Sequence, residues 1–155
     1  MPGLLKENDR AALQREFAAM TNAVKLVFFT QALDCEYCPI TLEILQEVAS
    51  LSDKIQIETV NFAIDQAQVE QYKIARIPAV ALVRVESVTR DGVTETQDRD
   101  YGIRYYGVPA GYEFAALVGD ILDVSSGESG LSPESKAALK NLREPVHLQV
   151  FTTPT

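Results

Sequence analysis

Cys35 and Cys38 are the only cysteines among 155 residues, three apart in the run Cys35-Glu36-Tyr37-Cys38-Pro39. Two thiols at this spacing can close into a disulfide and open again, moving two electrons per cycle. A bridge across so short a loop stabilises little through chain entropy. Chemistry is therefore a better account of the pair than scaffolding. Two other readings stay open on spacing alone. The pair could be half of a zinc or iron site, although there is no second such pair and the single histidine, His147, is far along the chain. The cysteines could also be inert.

The flanking residues say how the pair is held. Before it lies Val24-Lys25-Leu26-Val27-Phe28-Phe29, a short apolar run that reads as a buried strand. After it, Leu42, Leu45, Val48 and Ala49 follow helical spacing within Ile40–Ala49, with Glu43, Gln46 and Glu47 turned away. The pair thus sits between a strand and the start of a helix, whose unpaired N–H groups favour a thiolate. Pro39 suits the first turn, where a missing N–H is tolerated. A free thiol with a pKa of about 8.5 is only about 3% thiolate at pH 7. Lowering that pKa to about 7 makes roughly half of it reactive, for about 2 kcal/mol. Glu36 opposes this shift if it lies close. Cys35, nearer the loop, is the expected nucleophile, and Cys38 the more buried resolving thiol.

Farther along, Lys54–Phe62 reads as a strand and Asp65–Lys73 as a polar helix. Pro78 opens the apolar run Ala79–Val83, a place where a strand admits proline. A long hairpin follows, Val80–Thr89 and Val93 to about Tyr106, joined at Arg90-Asp91-Gly92. Tyr112–Val124 carries Phe114, Leu117, Val118, Ile121 and Leu122 on one helical stripe. The order β, α, β, α, β, β, α describes an α/β fold, a mixed central sheet flanked by helices.

This arrangement resembles the thioredoxin fold. More narrowly, the chain is similar to the N-terminal half of the protein disulfide oxidoreductases, glutaredoxin-like proteins with two tandem thioredoxin-like units, each carrying a CxxC. The resemblance rests on Val24–Phe29 with Cys35–Pro39, on Tyr72–Pro78, and above all on Ile103–Phe114 with its Gly107-Val108-Pro109-Ala110-Gly111. It implies an extra N-terminal helix (about Asp9 to Met20) and a cis peptide at Ile77-Pro78. It also implies thiol–disulfide exchange with protein substrates, a thioredoxin-reductase-like flavoprotein as recharging partner, and no bound cofactor beyond the redox-active Cys35–Cys38 disulfide. Ile77, Pro78 and Tyr37 are the expected substrate-binding residues, with residues 107–111 as a further wall. Thioredoxins carry a buried Asp on the strand before the CxxC. Phe29 stands at that position here, which leaves Glu58 as a candidate proton acceptor.

The alternatives are a non-catalytic, substrate-holding or structural half of a larger redox protein, and an electron relay serving a peroxidase. Composition removes other classes. Lys plus Arg is 14 against 22 Asp plus Glu, a net charge of −8, which disfavours nucleic acid and anionic membranes as partners. No signal-peptide core or spanning run is present, so a cytoplasmic protein without a metal site is expected. Glu113, Asp120 and Asp123 read as a solvated face, and His147 as the outward face of a strand. By these signals residues 1–124 form one thioredoxin-like unit and 125–144 a linker with a helix. Residues 145–155 repeat the pattern of Val24–Thr30 and would be the first strand of a truncated second unit.

Overall fold

The computed structural model describes residues 4–153. The elements run α1 (Glu7–Phe17), β1 (Ala23–Thr30), α2 (Cys38–Ala49), β2 (Ile55–Asn61), α3 (Gln66–Gln71), β3 (Ala79–Arg90), β4 (Val93–Tyr106), α4 (Tyr112–Ser126) and α5 (Pro133–Lys140). The sheet order is β2-β1-β3-β4. β1 and β2 are parallel, while β1–β3 and β3–β4 are antiparallel. This is the mixed sheet flanked by helices read from the alternation of periods.

Successive residues of β1 divide the core in two. Val24, Leu26 and Phe28 join Leu45 and Val48 of α2, Leu117 and Ile121 of α4, and Phe17 of α1. Val27 and Phe29 meet Val60, Val69, Tyr72 and Ile74 on the other face. Both faces of β1 are covered, which is why this strand is a nearly continuous apolar run. On α2 the inward side chains are Thr41, Ile44, Leu45 and Val48, about a residue out of step with the stripe expected from Leu42 and Ala49.

The β3–β4 ladder carries a bulge where the register jumps from Ala81↔Arg104 to Val83↔Asp100. Asp100 closes it by accepting the Gly102 N–H at 2.9 Å and the Arg104 Nη1–H at 2.8 Å. Gly102 has φ +85°, a conformation open to glycine and costly to most other residues. β3 reaches past its neighbour: β1 pairs with it only from Ala79 to Val85. Residues 86–90 and 93–97 therefore pair with each other alone. The Asp91-Gly92 turn read from sequence closes this ribbon, with both residues at positive φ.

α1 begins two residues before the expected Asp9 and stops at Phe17 rather than Met20. α5 starts at Pro133 under a cap in which Ser132 accepts the Ser135 N–H. The strand expected from residue 145 onward differs from what is found. Residues 145–153 lie in no ladder, and Val146, Leu148, Val150 and Phe151 are exposed. A strand exists only with a partner, and alternation alone does not supply one. Residues 154 and 155 lie outside the described residues.

Candidate disulfide site

β1 ends at Thr30, and residues 31–37 loop back to deliver the cysteines to the start of α2. Asp34 takes φ +57°, the left-handed conformation that Asp tolerates better than most residues. Tyr37 caps the helix, and its carbonyl receives the Thr41 N–H at 3.1 Å and the Thr41 hydroxyl at 2.8 Å. Cys38 is the first residue of α2 and Pro39 follows in the first turn, where its missing N–H leaves no helix bond unmade. Cys35 and Cys38 are joined in a disulfide with their Cα atoms 5.4 Å apart. Cys38 is 4% exposed and Cys35 is half-buried, so Cys35 is the more accessible member of the bridge.

The Ile77-Pro78 peptide is cis. Pro78 is buried, Ile77 packs against the core that receives both cysteines, and the Pro78 carbonyl accepts the Gly107 N–H at 2.9 Å. That bond ties the proline to the 107–111 loop, which ends at Gly111 as the cap of α4. Tyr37 is 56% exposed. Beside the first turns of α2 runs an open cleft of about 380 Å³ lined by Ile40, Ile44, Val108, Ala110 and Phe114, with Leu4 and Leu5 also on its wall. The structure thus gathers Cys35, Cys38, Ile77 and the 107–111 loop around one apolar end of the sheet.

Glu58 is not part of this gathering. It pairs with Val27 in the β1–β2 register and so shares the face of Val27 and Phe29, opposite the cysteines. Its carboxylate meets Lys25 Nζ at 3.1 Å and accepts from Gln68 Nε2 at 2.7 Å. The structure thus places this carboxylate with Lys25 and Gln68 and not with the cysteines. Phe29 likewise points away, and the β1 side chain on the cysteine side is Phe28. Among the described residues the buried polar side chains are Thr41 and Ser125, neither a carboxylate.

Several contacts leave no trace in the local sequence pattern. Glu47, expected to turn outward, accepts the Leu4 N–H at 2.6 Å, the Leu5 N–H at 3.1 Å and the Arg10 guanidinium at 2.9 Å, fastening the N-terminal arm to α2. Asp120 accepts the Tyr105 hydroxyl at 2.5 Å. Burial, and then this carboxylate, pushes that phenol well above its ordinary range. These contacts join residues 15 to 43 positions apart, beyond the reach of any periodicity. His147 is exposed on the unpaired tail. Among the described residues no group of three His, Cys, Asp or Glu is placed to hold a metal ion, and no helix is long and apolar enough to cross a membrane.

No family model matches the sequence. A protein described as a probable thioredoxin from Methanothermobacter marburgensis is 32% identical over 60 residues, 38% of this chain and 69% of that protein. Its counterpart in Methanothermobacter thermautotrophicus is 24% identical over 90 residues, 57% of this chain and 86% of that one. Among solved structures, a protein disulfide oxidoreductase from Aeropyrum pernix K1 superimposes with a TM-score of 0.71 at 28% identity, over 88% of this chain and 55% of that chain. The alkylhydroperoxide reductase AhpF of Enterococcus faecalis superimposes with a TM-score of 0.75 at 28% identity, over 89% of this chain and 61% of that chain. The chain spans between 55% and 61% of the length of these solved relatives.

Proposed function

The chain belongs to the thioredoxin family, and from that premise we propose that it exchanges dithiol and disulfide with protein substrates through Cys35 and Cys38. The observation that carries this reading is the formed bridge at the head of α2, with Cys38 covered and Cys35 half-open beside Ile77-Pro78. In the reducing direction the Cys35 thiolate attacks a substrate disulfide. One substrate sulfur bonds to Cys35 and the other leaves as a thiolate. The Cys38 thiolate then attacks the Cys35 sulfur, re-forms the bridge and releases the second substrate thiolate. Two electrons pass from the pair to the substrate. Substrate oxidation is the reverse.

The reacting segment lies as an extended strand along the Ile77 backbone, with Pro78, Tyr37 and residues 107–111 as walls. With Glu58 on the far face, the proton of Cys38 leaves to solvent or to the departing substrate thiolate. The compartment is the cytoplasm, where a pair of this kind is catalytic rather than structural. A flavoprotein of the thioredoxin-reductase kind recharges the pair. The likeness to an alkylhydroperoxide reductase supports a reductase as partner. The part up to residue 124 acts as the exchange unit and 125–144 as a linker, a reading that rests on the sheet and its flanking helices ending with α4.

Reduction of insulin disulfides tests the reading. Cys35→Ser abolishes turnover, and unchanged turnover in that variant overturns Cys35 as the nucleophile. The rival, a half that holds substrate without reacting, is separated by the pH profile of Cys35 alkylation. A thiol titrating well below about 8.5 supports exchange, and an ordinary one supports holding alone.

A further inference from the structure

We infer that Arg76 determines specificity at the disulfide site, selecting substrate segments that carry an Asp or Glu one or two positions from the attacked cysteine. The inference rests on the exchange reading above and adds the substrate class. Arg76 directly precedes Ile77-Pro78 and is exposed. Its guanidinium carbon lies 4.9 Å from the centre of the Tyr106 ring. Tyr106 in turn pairs with Ala79 across β3–β4 and packs on the second core, so the platform under the arginine is fixed.

Arg10, Arg84, Arg99 and Arg104 each have an acidic partner. Among the described residues Arg76 has none within ion-pair distance. Arg15 on α1, Arg90 at the hairpin tip and Arg143 beyond α5 also lack one, but they lie outside the elements that form the site. Arg76 is thus the unpaired arginine next to Ile77-Pro78, whose Ile77 packs against the core that receives both cysteines. Stacking engages the face of the guanidinium and leaves its N–H edge for a carboxylate, which Arg holds in bidentate fashion. It also restrains the side chain before binding, so less rotamer freedom is lost when a partner arrives.

The reach follows from strand geometry. A segment added beside Ile77 advances about 3.3 Å per residue. A side chain one or two positions from the attacked cysteine therefore falls opposite residue 76. The loop bearing Cys35 offers the opposite sign, with Asp34 and Glu36 exposed. The whole chain, at −8, repels acidic partners at a distance. Selection for a carboxylate must then act at contact, within about one Debye length of 8 Å at physiological salt.

The test uses the full chain in its reduced form and short disulfide peptides identical except for Glu, Gln or Lys beside the cysteine. Single-turnover reduction rates are compared within each variant, so any general loss of activity cancels from the ratio. The wild type reduces the Glu peptide about fivefold faster than the Lys peptide at low salt, as expected for a solvent-exposed ion pair, and the preference shrinks at high salt. In Arg76→Gln the ratio falls to about one, and in Arg76→Glu it reverses, while Arg76→Lys keeps its direction. A purely structural Arg76–Tyr106 contact would leave the ratio unmoved. A wild-type ratio of one, or the same ratio in Arg76→Gln as in the wild type, overturns the inference. A wild type that reduces none of the peptides overturns the exchange reading itself.

Discussion

Replacing Ser125 by Ala removes a two-way link at the end of β1 remote from the disulfide. Ser125 is fully buried in the last turn of α4. Its hydroxyl donates to the Asn22 carbonyl at 2.6 Å and accepts the Asn22 N–H at 3.1 Å. The variant leaves both backbone groups of Asn22 without these partners, while Thr21 Oγ1 and Asn22 Nδ2 still donate to the Ser125 carbonyl. Each lost bond is worth about 1 kcal/mol net, and more where water cannot replace it. Alanine returns about 0.5 kcal/mol through helix propensity. The expected loss is about 2 kcal/mol, which for a chain of this size lowers Tm by about 4–8 °C. Circular dichroism melts read the shift, with Ser129→Ala, exposed beyond the end of α4, as a control expected within about 0.5 kcal/mol of wild type. The disulfide lies at the other end of β1, about 23 Å away along the strand. The exchange rate per folded molecule therefore stays at the wild-type value. An unshifted Tm in Ser125→Ala would refute the reasoning.

Three further outcomes are expected. The Arg104 guanidinium, helped by the Gly102 N–H and opposed by partial burial, holds the Asp100 carboxyl below its ordinary value. Because the folded pKa is the lower one, the group stabilises the fold fully above about pH 4 and loses that contribution as pH falls through its folded pKa. The Tm gap between wild type and Asp100→Asn should be flat at neutral pH and narrow in acid, and a gap constant to low pH would contradict this. Glu47→Ala strips the acceptor from Leu4, Leu5 and Arg10, and amide exchange over residues 5–17 should rise about tenfold or more, with the β1 core unchanged. Cys38→Ser should accumulate a mixed disulfide between Cys35 and substrate, seen by mass, because the second attack is gone.

Local periodicity carried most of the fold because the core is built from elements that obey it. The continuous apolar β1, the Asp91-Gly92 turn and the Leu117/Ile121 stripe of α4 each declare their own conformation. Features that depend on which strand lies beside which were less legible. Whether Glu58 faces the cysteines or the far core turns on a single-residue parity in a parallel register, and the cross-strand partner is Val27 rather than a residue of the other set. Thr41 and Ile44 are more deeply buried on α2 than Leu42 and Ala49, which flank the same face and pack against the core only in part, because the neighbours that cover a helix set the centre of its inner stripe. Glu47 has the pattern of a solvated helix residue, and only the arm from Leu4 to Arg10 folding over it makes it an anchor. Val146–Phe151 shows the opposite failure, an alternation legible in sequence with no neighbour to complete it.

The overhanging ribbon bears on how the molecule can be handled. Two strands without a third are marginal in water, so residues 86–97 form the part of the sheet least coupled to the rest. Their tip at Asp91-Gly92 lies about 36 Å along β3 from Ala79, the end where Pro78 and the disulfide sit. A tether inserted there would hold the protein to a bead or an electrode by its distal end. The sulfurs would then face bulk solution, open to large protein substrates and to electrochemical titration alike.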